Sequence, residues 1–357
     1  MAVTQEEVVV VGTGARTPLG LNAPATAAAV RAGIAAMGNH PFMIDQFGDP
    51  MVVSRDAELP SETGGVDRFV QLALPAALEA LRVLPAGNSA SIKIRLHVAL
   101  PEDRPGLPAD LKAKFAERFQ LALGENFQVE KVTSHALGNA AGIAALEEAL
   151  SEIERGESEF CLVGGVESYL MPETLEWLDS VEQLHSPSTI WGFCPGEGAG
   201  FFLLTSGRIA KSLGLSSTIR VLSAAKGSEP NRIRTETICI GEGLSDAFQQ
   251  TLSGLPTETD RVDHTICDMN GDRYRGDEYS FARLRSADYF SEFSDFDTPG
   301  DCWGDMGAAS GPLFVVLASV AAEKRYSPGP ITLVWGSSDG GLRAGALLKA
   351  TTMEGRS

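Results

Sequence analysis

The sequence predicts an α/β fold in which helices cover both faces of a sheet. Short apolar segments typical of strands recur along the whole chain, and segments with helical spacing rich in Ala, Leu and Glu separate them. This alternation is typical of sheets that are covered on both sides. At 357 residues, 43% of them hydrophobic, the chain is long enough to bury a large core.

The predicted elements follow one another in a regular order. Strand-like segments, rich in β-branched residues or alternating in polarity, cover residues 8–11, 92–100, 127–132, 160–163, 200–204, 219–224, 264–268 and 331–335. Segments with helical periodicity and strong helix formers cover residues 25–35, 66–81, 109–123, 142–155, 243–252 and 308–324.

The charge of the chain excludes several classes of partner. Forty-seven acidic and 29 basic residues give a formal net charge of −18, which repels nucleic acid. No apolar segment is long enough to cross a membrane. The first residues are acidic and lack the basic region of a signal peptide. We therefore expect a cytoplasmic protein with no nucleic-acid and no membrane partner.

Cysteine and histidine spacing suggests no metal site, disulfide framework or cofactor. The five cysteines have no C-x-x-C pair and are Cys161, Cys194, Cys239, Cys267 and Cys302. We expect free thiols in the core, with Cys267 and Cys302 as candidates for a relocated nucleophile because they lie beside the site motifs named below. His40, His97, His185 and His264 show no spacing typical of ligands or of a catalytic dyad.

Four motif segments occur in a characteristic order. VVVVGTGARTPLGLN (8–22) is expected to form a strand followed by a Gly-x-Gly turn; VDRFVQLALPAALEAL (66–81), GFCPGEGAGFFLL (192–204) and GEGLSDAF (241–248) follow. Each is weak alone. Together they resemble the β-ketoacyl synthase branch of the thiolase superfamily. The resemblance implies a five-layer α-β-α-β-α sandwich of two pseudo-repeated halves, residues 1–216 and 217–357.

The family's catalytic Cys has no counterpart in this chain. The resemblance places it at the start of the helix predicted over residues 142–155. Counting back without gaps from the Gly-Gly pair after residue 163 assigns the position to Asn139, and counting forward from Gly124 assigns it to Thr133. No residue between these limits is a Cys.

The two His residues of the family's Cys-His-His triad are also replaced. The segment CDMNGDRYRGDE (267–278) matches the turn of the first His and places Asn270 there. The segment CWGDMGAASGP (302–312) matches the second and places Asp305 there. The family's closing glycine-rich loop is replaced by WGSSDGG (335–341).

These replacements predict a protein without condensing activity. Decarboxylative condensation needs a thiolate to hold the acyl group and two imidazoles to stabilise the oxyanion. Whether the chain is an enzyme stays open; if active, it would run an acyltransferase-type reaction without a Cys nucleophile. Ser134 and His135 are the remaining nucleophile candidates, because a helix N-terminus near them would favour an activated anion. Both are also ordinary cap or turn residues.

Three functional hypotheses follow. The leading one is a catalytically inactive, ketoacyl-synthase-like binding or assembly partner. The second is an acyltransferase or hydrolase of altered chemistry, and the third is an acyl or small-molecule binding protein that reuses the family's cavity. Chain-length-factor relatives usually carry Gln at the Cys position, which this chain lacks. The sequence does not decide whether the protein acts in a bacterial fatty-acid, polyketide or secretion-associated pathway.

The predicted strand from Phe127 to Val132 indicates a two-fold partner. The resemblance implies that this strand pairs with its symmetry mate, and an unpaired strand would be an aggregation hazard. We expect a homodimer or a heterodimer with a related subunit. The alternative is a strand inside its own sheet or covered by the helix at residues 109–123. An acyl carrier protein is a candidate partner, but its acidity and the charge of −18 disfavour docking.

Overall fold

A computed structural model describes residues 6–85, 92–124 and 127–351 of the chain. In these residues the strands are β1 (Val8–Arg16), β2 (Met37–Ile44), β3 (Pro50–Ser54), β4 (Lys93–Leu100), β5 (Gln128–Ala136), β6 (Phe160–Ser168), β7 (Glu197–Ser206), β8 (Ile219–Ser228), β9 (Val262–Cys267), β10 (Phe290–Asp297), β11 (Ile331–Ser337) and β12 (Leu342–Ala350). The helices are α1 (Ala23–Arg31), α2 (Gly65–Leu81), α3 (Leu111–Gly124), α4 (Ala141–Glu154), α5 (Pro172–Ser180), α6 (Gly207–Ser212), α7 (Glu242–Leu252), α8 (Arg273–Arg285), α9 (Gly300–Trp303) and α10 (Ser310–Lys324).

A ten-stranded sheet runs in the order β10-β9-β11-β12-β8-β1-β7-β6-β4-β5. The order is mirrored about its centre: β1, β7, β6, β4 and β5 occupy the same successive places as β8, β12, β11, β9 and β10. A short antiparallel ladder between β1 and β8, from Val8 opposite Val221 to Val10 opposite Ile219, joins the two sides. The predicted boundary between residues 216 and 217 falls between α6 and β8 and stays a prediction.

Helices α4 and α10 are buried between the two five-stranded halves of the sheet. They cross where Gly142 meets Pro312, since a Cβ atom at residue 142 would lie 2.2 Å from Pro312 Cδ. No side chain is tolerated at that distance, so the glycine is what allows the helices to approach. The contact also brings the N-terminal ends of α4 and α10 together.

Two outer layers complete the sandwich. Helices α2 and α3 cover one side of the sheet through buried apolar residues that include Phe69, Leu72, Phe115 and Phe119. Helices α7 and α8 cover the other side, with Leu244, Phe248 and Tyr279 in its core. The layers therefore run helix, sheet, helix, sheet, helix, and the predicted five-layer fold is confirmed. None of the described helices is both long and apolar enough to span a bilayer.

The first Gly-x-Gly segment lies inside β1, and the turn expected there begins only at Thr17. A Cβ atom at Gly12 would lie 2.1 Å from the Ala80 carbonyl oxygen, and one at Gly14 would lie 2.0 Å from that of Ala76. Both glycines therefore let β1 approach the backbone of α2. The expectation of a turn directly after residue 11 was wrong, because the motif serves strand–helix packing.

Candidate functional site

The first turns of α4 and α10 form the floor of the candidate site. A 3-10 turn, Gly138–Ala140, precedes α4, and a second, Gly307–Ala309, precedes α10. Asn139 lies in the first turn, Asp305 lies two residues before the second, and Asn270 lies three residues after β9. The structure thus brings together the three positions that the motif spacing assigns to the triad.

Asp305 joins the other two side chains by hydrogen bonds. Its Oδ1 accepts from Asn139 Nδ2 at 3.1 Å and from the Gly307 backbone N–H at 2.6 Å. Its Oδ2 accepts from Asn270 Nδ2 at 2.6 Å. Asn139 and Asp305 are buried, with 5% and 4% of their surface exposed. An amide is not a nucleophile, and a carboxylate opposes negative charge that develops beside it, so this cluster has neither group that condensation needs.

The cavity above this cluster is small and strongly polar. Its volume is about 120 Å³. Charged and aromatic side chains line it, among them Glu102, Arg104, Glu167, Tyr169, Trp177, Arg234, Arg275 and Asp339. An apolar acyl chain would have to displace or desolvate these groups.

Each of the three arginines that line the cavity is ion-paired. Arg104 Nη2 lies 2.6 Å from Glu167 Oε1, and both side chains are almost fully buried. Arg275 Nη1 lies 2.6 Å from Asp268 Oδ2, and burial raises the pKa of Asp268 to about 6. Arg234 Nη2 lies 3.0 Å from Asp339 Oδ2. Binding of an anionic group here would therefore compete with existing carboxylates.

The loop that replaces the family's closing loop packs onto the site. Ser338 Oγ accepts a hydrogen bond from the Ala140 backbone N–H at 2.9 Å, which caps one free donor at the start of α4. Glu102 accepts from the Gly340 backbone N–H at 3.0 Å, and burial raises the pKa of this carboxyl. The loop thus occupies part of the α4 N-terminus that would otherwise stabilise an anion.

Ser134 and His135, the remaining nucleophile candidates, lie in β5 rather than at a helix start. The expectation of an activating helix N-terminus beside them was wrong, because the strand continues to Ala136 before the chain turns into α4. Ser134 Oγ is buried and has no hydrogen-bond partner among the residues that the structure describes. His135 contacts His97 instead, with 3.5 Å between His135 Nε2 and His97 Nδ1.

The five cysteines are free and buried. Burial raises the pKa of Cys161 and of Cys194 to about 12. It also raises the pKa of Cys267 and of Cys302, the two candidates for a relocated nucleophile. A thiol with a raised pKa is neutral near pH 7 and a poor nucleophile.

A family model describes part of the chain. Residues 134–210 match the model "β-ketoacyl synthase, N-terminal domain", a segment that contains Asn139 and α4 and reaches α6. Residues 134–210 are therefore similar to the N-terminal domain of β-ketoacyl synthases, and the chain as a whole shares the ketosynthase, thiolase-like fold. No curated protein sequence matches it.

Solved structures similar to this ketosynthase-like chain share its fold at low identity. The ishigamide ketosynthase/chain length factor has a TM-score of 0.82 at 16% identity, with 98% of this chain and 100% of that chain covered. A second similar structure is a type II polyketide synthase acyl-carrier protein in complex with its ketosynthase, bound to the hexaketide. Its TM-score is 0.79 at 16% identity, with 98% of this chain and 100% of that chain covered. A β-ketoacyl synthase from Burkholderia phymatum has a TM-score of 0.78 at 16% identity, with 97% of this chain and 100% of that chain covered.

An ion pair connects two motifs of this ketosynthase-like chain. Arg68, from the Asp-Arg-Phe element of α2, donates to both carboxylate oxygens of Glu197, from the Gly-Glu-Gly-Ala-Gly segment, at 2.6 Å each. Both side chains are buried. Motifs that are separate in sequence are therefore two sides of one structural contact.

Sequence reasoning missed the charged lining of the site. Glu167 is the penultimate residue of the fully buried strand β6, and it accepts both from Arg104 and from the Ala308 backbone N–H. A charged residue near the end of a fully buried strand was the available signal. Arg104 carried no comparable signal, because it lies in a Pro-rich loop of ordinary composition.

Proposed function

We propose that this ketosynthase-like chain does not condense acyl groups and acts as a binding or assembly subunit. The observation that carries the proposal is the Asn139–Asp305–Asn270 cluster, in which the residues at the triad positions are hydrogen-bonded to one another. Nothing in that arrangement supplies a thiolate or an imidazole, and Asp305 contributes a negative charge where an oxyanion would form.

The size of the cavity argues against an acyl-binding role at this place. The cavity has a volume of about 120 Å³. Pockets for drug-sized ligands are about 300–1,000 Å³. A binding role therefore rests on the surface of the protein more than on the old active-site cavity.

The alternative of a non-condensing acyltransferase or hydrolase lacks an activated nucleophile. Such an enzyme needs a hydroxyl or thiol with a base in hydrogen-bond contact. In the described part of the chain Ser134 Oγ has no hydrogen-bond partner, and burial raises the pKa of Cys194, near the cluster, to about 12. These observations favour the assembly role.

The edge strand β5 is the surface that we assign to a partner. It forms one end of the ten-stranded sheet and pairs only with β4 within the described residues. Its side chains are half-buried or exposed along most of its length. We infer pairing with a second copy or a related subunit through the Phe127 to Val132 segment, since a covered edge avoids uncontrolled association. A structure with a similar fold is a ketosynthase/chain length factor.

We expect no acyl adduct when the purified chain is incubated with an acyl-CoA or an acylated carrier protein. The buried neutral thiols and the amide at residue 139 cannot accept the acyl group. Intact-mass spectrometry measures the adduct, with an active ketosynthase treated in parallel as the positive control. A hydroxylamine-sensitive mass gain on Thr133, Ser134 or any cysteine would overturn the proposal.

A Val129→Pro variant should lose the dimer, whereas Val129→Ala should keep it. Proline removes a backbone donor from β5 and disrupts ladder pairing, while alanine shortens the side chain and leaves the backbone intact. We expect the wild-type chain of 37.8 kDa to scatter as twice that mass, or to assemble with a related subunit. An obligate interface of this kind buries more than about 2,000 Å².

Light scattering at micromolar concentration measures the assembled mass of all three proteins. A wild-type monomer that also fails to associate with a co-expressed related ketosynthase would contradict the assembly role. If Val129→Pro keeps the assembled mass of the wild type, only the assignment of the interface to β5 is contradicted, and the assembly role stands.

A further inference from the structure

Two buried histidines meet on the face of the sheet that α4 covers. His97 lies on β4 and His135 on the neighbouring parallel strand β5, where His97 is opposite Thr133 and Ala99 is opposite His135. Residues two apart on a strand point to the same face, so both rings lie on one side. His97 Nδ1 and His135 Nε2 are 3.5 Å apart.

A buried carboxylate orients the His97 ring. Glu152 Oε2, on α4, lies 3.0 Å from His97 Nε2, and Arg95 lies 3.3 Å from the other oxygen of the same carboxylate. The Glu152 carboxylate accepts a hydrogen bond from His97 Nε2–H, which leaves the lone pair of Nδ1 facing His135. Metal-ligating histidines usually donate their second N–H in this way.

Glu148, one helical turn before Glu152, supplies a third ligand atom. Its Oε2 lies 3.8 Å from His135 Nε2, and the nearest ligand atoms of His97, His135 and Glu148 all lie within 4.8 Å of one another. Lys226 is closer to Glu147, at 2.8 Å, than to Glu148, at 3.9 Å. Glu148 is therefore free to turn toward the two rings.

The separations fit a tetrahedral ion. Metal–ligand bonds of about 2.0–2.1 Å place the ligand atoms of a tetrahedron about 3.3 Å apart. The two nitrogens are already near that distance, and the Glu148 side chain, 45% exposed, has room to turn toward them. Its exposure also gives water access to a fourth position.

We propose that His97 Nδ1, His135 Nε2 and the Glu148 carboxylate bind one divalent transition-metal ion of the zinc class, with water as the fourth ligand. Two imidazoles and one carboxylate select zinc-like ions over magnesium and calcium, which prefer oxygen ligands alone. The ion would tie the edge strand β5 to the central helix α4.

A second acid-and-thiol cluster is a weaker candidate. Glu229, Cys239 and Glu278 also converge, but Glu278 already binds Arg343 and Ser337. Within the described residues, no arginine pairs with His97 or His135 in the way that Arg343 pairs with Glu278.

Zinc titration of the untagged full chain, stripped with a chelator and monitored with a chromophoric zinc indicator, tests the site. We expect one tightly bound zinc per chain and a tetrahedral d–d spectrum with cobalt(II). Glu148→Gln and His135→Asn should abolish tight binding, and Glu152→Gln should weaken it about 10–100-fold, as loss of an orienting carboxylate does. Glu147→Gln, one residue away on the same helix, is the matched control: its amide oxygen still accepts from Lys226, so zinc binding should weaken far less than in Glu148→Gln.

Circular dichroism establishes that each variant is folded. If His135→Asn fails to fold, the half-exposed Glu148 still gives a decisive comparison with Glu147→Gln. A wild-type chain that binds zinc no better than folded Glu148→Gln would overturn the proposal, as would equal losses in the Glu147 and Glu148 variants.

Discussion

Replacing Glu197 by alanine is expected to destabilise the fold by about 3–5 kcal/mol. The Glu197 carboxylate is fully buried and accepts two hydrogen bonds from Arg68 at 2.6 Å each. It also accepts from the Asp56 backbone N–H and from Ser168 Oγ, both at 2.9 Å. Removal of the carboxylate leaves the Arg68 guanidinium buried without its counter-ion, and that uncompensated charge causes most of the loss.

Urea denaturation followed by circular dichroism measures the loss in the free energy of unfolding. Glu197→Gln should fall between the alanine variant and the wild type, because it keeps an acceptor and loses the charge. Glu117→Ala, an exposed glutamate of α3, is the control and should change the stability by less than about 0.5 kcal/mol. A Glu197→Ala variant as stable as this control would show that the Arg68 contact does not hold the two motifs together.

Two of the elements that the sequence predicts are among the most completely buried. Strand β6, buried along its whole length, and the central helix α10 both show long apolar runs. Several of the elements missed have weaker patterns, although β12 was missed despite being apolar and buried along most of its length. Strand β10, FSEFSDFD, mixes phenylalanines with acidic residues because it lies at the sheet edge, and β2 is mostly exposed and interrupted by Pro41. Helix α8 buries few of its residues.

The three positions of the candidate site could be assigned from glycine motifs because those glycines mark close backbone approaches. A Cβ atom at Gly165 would lie 2.2 Å from the Ala308 carbonyl oxygen, so β6 and the turn before α10 are held in contact. A position counted along the sequence from such a constrained glycine therefore corresponds to the same place in the fold. The assignment of Asn139, Asn270 and Asp305 depended on this property.

Contacts between distant side chains could not be predicted in the same way. Arg104 and Glu167 are 63 residues apart, and their pairing follows from how the loop after β4 folds over β6. His97 and His135 meet only because of the register between β4 and β5. No periodicity within a single segment encodes either contact, so sequence spacing suggested no metal ligands.

An Asn139→Cys variant is expected to hold a poorly reactive thiol that becomes at least about 10-fold more reactive when Asp305→Asn is added. The position at the start of α4 would favour a thiolate, because the helix N-terminus stabilises negative charge. Asp305 Oδ1 lies 3.1 Å from Asn139 Nδ2, and its negative charge would disfavour a thiolate at residue 139. A carboxylate at such a distance raises a thiol pKa by about 1–3 units, and each unit lowers the thiolate fraction at neutral pH about tenfold.

Alkylation by iodoacetamide, followed by intact-mass spectrometry across a pH series, measures this effect, and thiolate ultraviolet absorbance gives the thiol pKa independently of reagent access. The wild-type chain and the single Asp305→Asn variant are the controls; neither should be labelled while folded, since the native cysteines are buried with raised pKa values. Asparagine at residue 305 keeps the size of the side chain and removes only its charge. The pH midpoint of alkylation should therefore fall by at least about one unit from Asn139→Cys to the double variant. Equal midpoints would show that Asp305 does not suppress a nucleophile at this position, and the electrostatic argument against condensation would then fail.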